Sequence, residues 1–328
     1  MSDGLPRDER AALTMLAAWM GQRFFRTFRS APDSERGPFD ALLMQRDLRV
    51  GITIGLLWDD GETPGVPMLE AAVSGDLEAA GDTGAYVLWV PPRSGVTERE
   101  PAASDLRLLV SRGLGGLQPG ERREVRVPAI LRLAKIDAGG SYISVTGGLA
   151  SEWTHLSENV PGAFHLDSRD IHRLPEEEAE REILIAAIRD RAHRLEVGEF
   201  TAVEAHDYWL VSRLSGTEPR GLTVAGAHEA FDSSDAAAVR RLLRAHVTRA
   251  EEQRYNGTAD LTALLLIGSY AHIGDERVTA GLRGMNPAAY GGIDLVALVA
   301  DGLVRQVLQP RSLPWESPAP TPIPPAAT

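Results

Sequence analysis

Short apolar runs of strand length recur along this chain, and long segments of helical period separate them. The runs are VGITIGLLW at 50–58, AYVLWV at 85–90, LTALLLI at 261–267 and IDLVALV at 293–299. None is long enough to cross a bilayer. Strands that alternate with helical patterns predict an α/β or α+β protein, with a mixed central sheet and flanking helices. In the first run Val50, Ile52, Ile54 and Leu56 alternate with Gly51, Thr53 and Gly55. That period of two predicts a half-buried strand with small residues on its other face. Asp59-Asp60-Gly61 ends it as a turn.

Helices are expected over Glu9–Phe28, with the stripe Leu13, Leu16, Met20, Phe24 and Phe28, and over 66–80 and 105–114. Another is expected over Leu174–Leu195, where Pro175 and Glu176–Glu178 suit a first turn and Ile183, Ala187 and Ala192 lie near one face. Ser233 or Ser234 suits the cap of a helix reaching Tyr255. Asp301-Gly302 suits a tight hairpin between 293–299 and 304–308. The segment REVRVPAILRLAKI reads as extended and broken near Pro128, and the glycine pairs 139–140 and 147–148 read as hairpin turns around SYISVT. Residues 1–308 form one large globular domain, or two closely packed parts with a boundary near 115–130. Prolines at 310, 314, 318, 320, 322, 324 and 325 predict a disordered proline-rich tail over 309–328. Trp315 is its one large apolar ring, which either packs back on the domain, meets a partner or stays exposed.

Composition excludes several chemistries. Without cysteine there is no disulfide scaffold, thiolate metal site or cysteine nucleophile. A formal charge of -12 disfavours a surface that coats nucleic acid, though it allows a local basic groove. Arginines 240, 241, 244 and 249 on one helix and 181, 189, 191 and 194 on another lie among acids and read as salted solvent faces. The start has no signal-peptide layout, so a cytoplasmic protein away from the membrane is expected. Lys135 is the only lysine and follows no glycine loop, which removes a P-loop. Ser269, with Tyr270 and His272 after it, follows a strand but lacks the GxSxG elbow of a nucleophile.

His155, His165 and His172 lie close together in sequence, beside Asp167 and Asp170. HLDSRDIH can be read as a metal site of His165, Asp167 and His172, whose nitrogen and oxygen donors suit zinc, manganese or iron. The competing reading is ordinary loop and surface histidines. On a strand His165 and Asp167 share a face and His172 points the other way.

Pro38-Phe39-Asp40 stands at a strand start after a helix and before the strand at 48–58. Later, the helix ILIAAIRDRAHRLE precedes the strand DYWLVSRL. This layout resembles the restriction-endonuclease-like (PD-(D/E)XK) superfamily. The resemblance implies a mixed sheet with flanking helices, Asp40 as the family aspartate and Glu9 as the acid of the first helix. It places Thr53 where the family has glutamate and Gly55 where it has lysine. A complete set binds magnesium and activates water against a phosphodiester, and here the pair is missing. The function expected is that of a non-catalytic accessory or protein-interaction protein on a degenerate nuclease-like core, associated with nucleic-acid processing. It would need no cofactor and would act with a protein partner or a second copy of itself. The alternative is a metal-dependent hydrolase or nuclease with a non-standard carboxylate/histidine site. Its candidates are Asp40 and Glu9 for catalysis, and His165, Asp167 and His172 for magnesium or another divalent metal.

Overall fold

Strands with apolar residues on both faces need cover on both sides, and this chain supplies it with helices and with a second sheet. The computed structural model describes residues 4–58, 63–91, 94–216, 218–226, 236–268 and 275–316. Sheet A runs in the order β1 (Arg29–Ser30), β2 (Ala41–Gln45), β3 (Leu48–Leu56), β10 (Leu261–Ile267), β11 (Leu295–Ala300), β12 (Leu303–Leu308). Strands β3, β10 and β11 are parallel, and antiparallel neighbours flank them. Sheet B runs β6 (Ser141–Gly147), β7 (Gly162–Ser168), β5 (Arg122–Asp137), β8 (Phe200–Arg213), β4 (Ala85–Val90), β9 (Gly221–Gly226). The fold is α/β with mixed sheets and flanking helices, but with two sheets where one was expected. Sheet B is inserted between β3 and β10 of sheet A. Residues 115–130 run from the end of α3 (Ala102–Leu114) into β5, inside sheet B.

Helix α1 (Arg7–Phe24) touches β9 of one sheet and β10 to β12 of the other. Its Leu13, Leu16 and Met20 share a core with Val87, Trp89 and Leu210 of sheet B and with Leu264–Ile267 of β10. A second core joins Leu131, Leu133, Phe164 and Leu166 to Ile185, Ile188 and Ala192 of α5 (Glu178–Arg194). A third packs α2 (Val66–Ala79) and α3 on Trp209 and Val211.

Strand β3 is buried on both faces, against the half-buried expectation. Its small residues lie under other rings. A Cβ on Gly51 would stand 2.5 Å from the Phe39 ring, and one on Gly55 would stand 2.5 Å from His246 of α6 (Ala236–Asn256). Small side chains here permit close helix-on-strand packing. Strand β5 is unbroken at Pro128. Lys135 exchanges backbone hydrogen bonds with Gly198 and Glu199, so residues of its parity face β8 and Pro128 faces away. On that side β7 pairs only from Arg132 onward, so no ladder bond is lost. Strands β6 and β7 are parallel neighbours joined through α4 (Trp153–Ser157), so the glycine pairs close no hairpin. Gly148 instead lets the chain pass close to Ile171, whose carbonyl a Cβ would overlap. Helix α5 starts only after Pro175–Glu177, where Glu177 is extended and the Glu176 N–H donates to Glu124 Oε1 at 3.0 Å. Ile183, read as apolar-face, is 69% exposed.

The Asp301-Gly302 hairpin forms as expected, with φ of 53° and 76° and Ala300 opposite Leu303. Trp315 docks. Its ring stands edge-on to Phe28 at 4.9 Å, and its Nε1 donates to Gln45 Oε1 at 3.0 Å. Asp59–Gly61, Ser233 and Ser234, Ser269 to His272 and the prolines from 318 onward lie outside the described residues.

Candidate functional site

Asp40 immediately precedes β2, and the fold surrounds its carboxylate with protein donors. Oδ2 accepts the Ile54 N–H at 2.7 Å and an Arg249 guanidinium nitrogen at 3.0 Å, and Oδ1 accepts Gln253 Nε2 at 3.4 Å. Arg249 also donates to the Ile54 carbonyl, and Thr53 donates its hydroxyl to Gln253. The carboxylate thus ties the start of β2 to the middle of β3 and to α6. Glu9 sits in the first turn of α1, where an acid favours the helix dipole, and is not among the partners of Asp40.

The histidine segment divides. His165 and Asp167 alternate on β7 and share a face. His165 Nδ1 is 3.2 Å from Ser144 Oγ. Asp167 is gripped by Arg169 through bonds of 2.9 and 2.6 Å, which pull its carboxyl down to about 2. His172 belongs to a different network, with Nδ1 3.0 Å from Asp207 Oδ2 and 3.1 Å from Ser94 Oγ. Among the described residues no three or more histidines and carboxylates gather as a group that could hold a metal ion.

Sequence reading missed the Asp207 network. Asp207 is 3% exposed. Its Oδ1 accepts the N–H groups of His172 and Arg173, each at 2.8 Å, and its Oδ2 accepts the Trp209 indole at 2.9 Å. Serine, histidine and aspartate meet here, but not as a triad. A triad needs the hydroxyl and the carboxylate on opposite ring nitrogens, whereas Ser94 and Asp207 share Nδ1. The cluster can hold the 169–175 connection to β8, with His172 bonded through Nδ1 and its backbone N–H. An aspartate inside the apolar run HDYWLV was the available signal, because buried carboxylates are rare without dedicated partners.

Next along the chain, Arg173 pairs with Asp301 at the β11–β12 turn, both largely buried. Burial raises the Asp301 carboxyl above its ordinary range, and Arg173 offsets that only in part. Arg122 donates to the Asp301 carbonyl at 3.4 Å and pairs with Glu176 at 2.9 Å. This polar seam joins sheet B to the far edge of sheet A. The class that fold and site define is a two-sheet α/β protein with carboxylates locked into structural networks. No family model, curated protein or solved structure matches the chain.

Proposed function

We propose that this is a non-catalytic accessory protein on a degenerate restriction-endonuclease-like core, acting by binding a partner. The reading is supported by the order α1, antiparallel β2–β3, α6 and a β10 parallel to β3. The observation that carries it is the state of three of the four family positions. Asp40 is saturated by Ile54, Arg249 and Gln253, Thr53 bonds Gln253, and Gly55 lies beneath His246. A glutamate and a lysine at 53 and 55 would have to displace α6. A metal at Asp40 would have to displace an arginine, and like charges do not share a carboxylate cheaply.

The test is a cleavage assay with magnesium and with manganese on single- and double-stranded DNA and RNA. No turnover is expected with either ion. Asp40→Asn is expected to lower stability, since it weakens the bonds from Arg249 and the Ile54 N–H. Turnover that Asp40→Asn abolishes in a folded protein would overturn the proposal.

A further inference from the structure

At the end of the β2–β3 hairpin opposite Asp40, the chain forms an open cleft of about 720 Å³ lined by Phe25, Arg26, Thr27, Arg29, Met44, Gln45 and Arg46. Three of these are arginines and none is an acid. Among the described residues no ion pair engages Arg26, Arg29 or Arg46, whereas arginines elsewhere meet carboxylates, as in Arg107–Asp76, Arg122–Glu176 and Arg173–Asp301. Asp47, the next residue of the hairpin turn, is not among the lining residues. Among the described residues the Arg26 guanidinium makes one hydrogen bond, to the Phe25 carbonyl at 3.1 Å.

The backbone is strained at two of the same residues. Phe25 has φ 53° and Arg46 φ 55°, two of the four non-glycine residues with positive φ among those described. Phe25 stands just past the end of α1, a position that favours glycine. Arg46 opens a two-residue hairpin turn, where glycine, asparagine or aspartate is the low-cost choice. Neither side chain compensates for the strain by packing, since Phe25 is 86% exposed and Arg46 is also exposed. Strain held at positions where the side chain buries nothing points to use of the side chain itself.

We propose that this cleft binds single-stranded nucleic acid, with Arg26, Arg29 and Arg46 on successive phosphates and the Phe25 ring stacked on a base. Guanidinium forks match phosphate oxygens. An exposed aromatic beside them suits an unpaired base, whose face a duplex hides. The inference does not rest on the non-catalytic reading, because the cleft lies away from Asp40 and a binding protein or a nuclease could equally carry it.

The test is fluorescence anisotropy of the full chain with labelled single-stranded oligonucleotides of DNA and RNA, against a duplex and inorganic polyphosphate. Single strands are expected to bind, with a salt slope of about -2 for three phosphates. Phe25→Gly is expected to weaken binding about tenfold. Arg46→Gly is expected to weaken binding and to reduce the slope by about 0.7. Both variants should unfold at equal or higher denaturant than the parent, because glycine relieves the positive φ. Loss of binding therefore cannot be blamed on misfolding. No binding at low salt would overturn the proposal. So would affinity unchanged by both variants, or polyphosphate competing as well as the oligonucleotide while Phe25→Gly has no effect.

Discussion

Gly55 shows how one missing Cβ sets the character of this molecule. The His246 ring stands where that Cβ would be, with its Nε2 2.8 Å from the Leu56 carbonyl. Gly55→Ala is expected to cost about 2 kcal/mol by overpacking. The cost should shrink in a His246→Ala background, a coupling that a double-mutant cycle by urea unfolding reads directly. Trp315 is the converse case, a ring that fills a place. Trp315→Ala is expected to cost about 3 kcal/mol, because it empties the space beside Phe24 and Phe28 and leaves the buried Gln45 without its donor. An unchanged midpoint would show that the ring does not hold the chain end in place. Asp301 carries a pH signature. Burial raises its carboxyl above the ordinary value of 3.8, so the folded state holds that proton more tightly than the unfolded chain. Its contribution is present below pH 3.8 and is lost as pH rises through the raised value. Asp301→Asn, which also tolerates the positive φ, should abolish that slope in unfolding measured across the acid range. Arg173→Met should cost more than Asp301→Asn at neutral pH, because it strands a buried carboxylate.

At the scale of elements, the open edges of sheet B are closed by side chains rather than by strands. Glu70 Oε1 and Ser74 Oγ of α2 accept the β9 N–H groups of Val224 and Leu222. At the other edge, Ser157 of α4 takes both the N–H and the carbonyl of Ile143, at 2.7 and 3.2 Å. Strand β6 reads SYISVTG, without charge or proline, so its own residues supply no guard against pairing with a second chain. Ser157→Ala is expected to cost about 1 kcal/mol and to promote self-association, which sedimentation at rising concentration would detect. A monomer at all concentrations would show that the bulk of α4 guards the edge. Such devices are hard to read from sequence, because nothing local in WTHLS points to β6. The strands β3, β4, β10 and β11 and the hairpin at 301–302 were legible because their apolar runs and turn residues are local signals. Strand β9 was missed, since GLTVAG is short and glycine-bounded. The count of sheets was illegible for a different reason, since pairing partners lie far apart in sequence. Of the candidate residues, the shared face of His165 and Asp167 followed from the period of two. The partners of Asp40 did not, because Arg249 and Gln253 sit on a helix some two hundred residues away.

At the scale of the whole molecule, the insertion of sheet B into sheet A orders the assembly. Sheet A is complete only when β3 meets β10, with all of sheet B lying between them in the chain. The β5–β8 pair closes a far shorter connection, from Asp137 to Phe200, and has the longest ladder in the protein as described, from Arg122↔Ser212 to Ala134↔Phe200. A connection about three times as long costs about 1 kcal/mol more to close, and non-local pairing slows folding beyond that static cost. Sheet A also buries its α1 face against Val87, Trp89 and Leu210, residues that sheet B must already hold in place. Sheet B therefore forms first. In pulsed-labelling hydrogen exchange during refolding, amides of Leu131, Leu133 and Val203 should gain protection before those of Leu264 and Leu265. At equilibrium the order changes its meaning. Leu264 and Leu265 lie in the middle of sheet A, between β3 and β11, and should open only with global unfolding. Leu166 of β7 belongs to the separate second core and should open at lower free energy. Early protection of β10, or a uniform opening free energy across both sheets, would show that the two sheets fold as one unit.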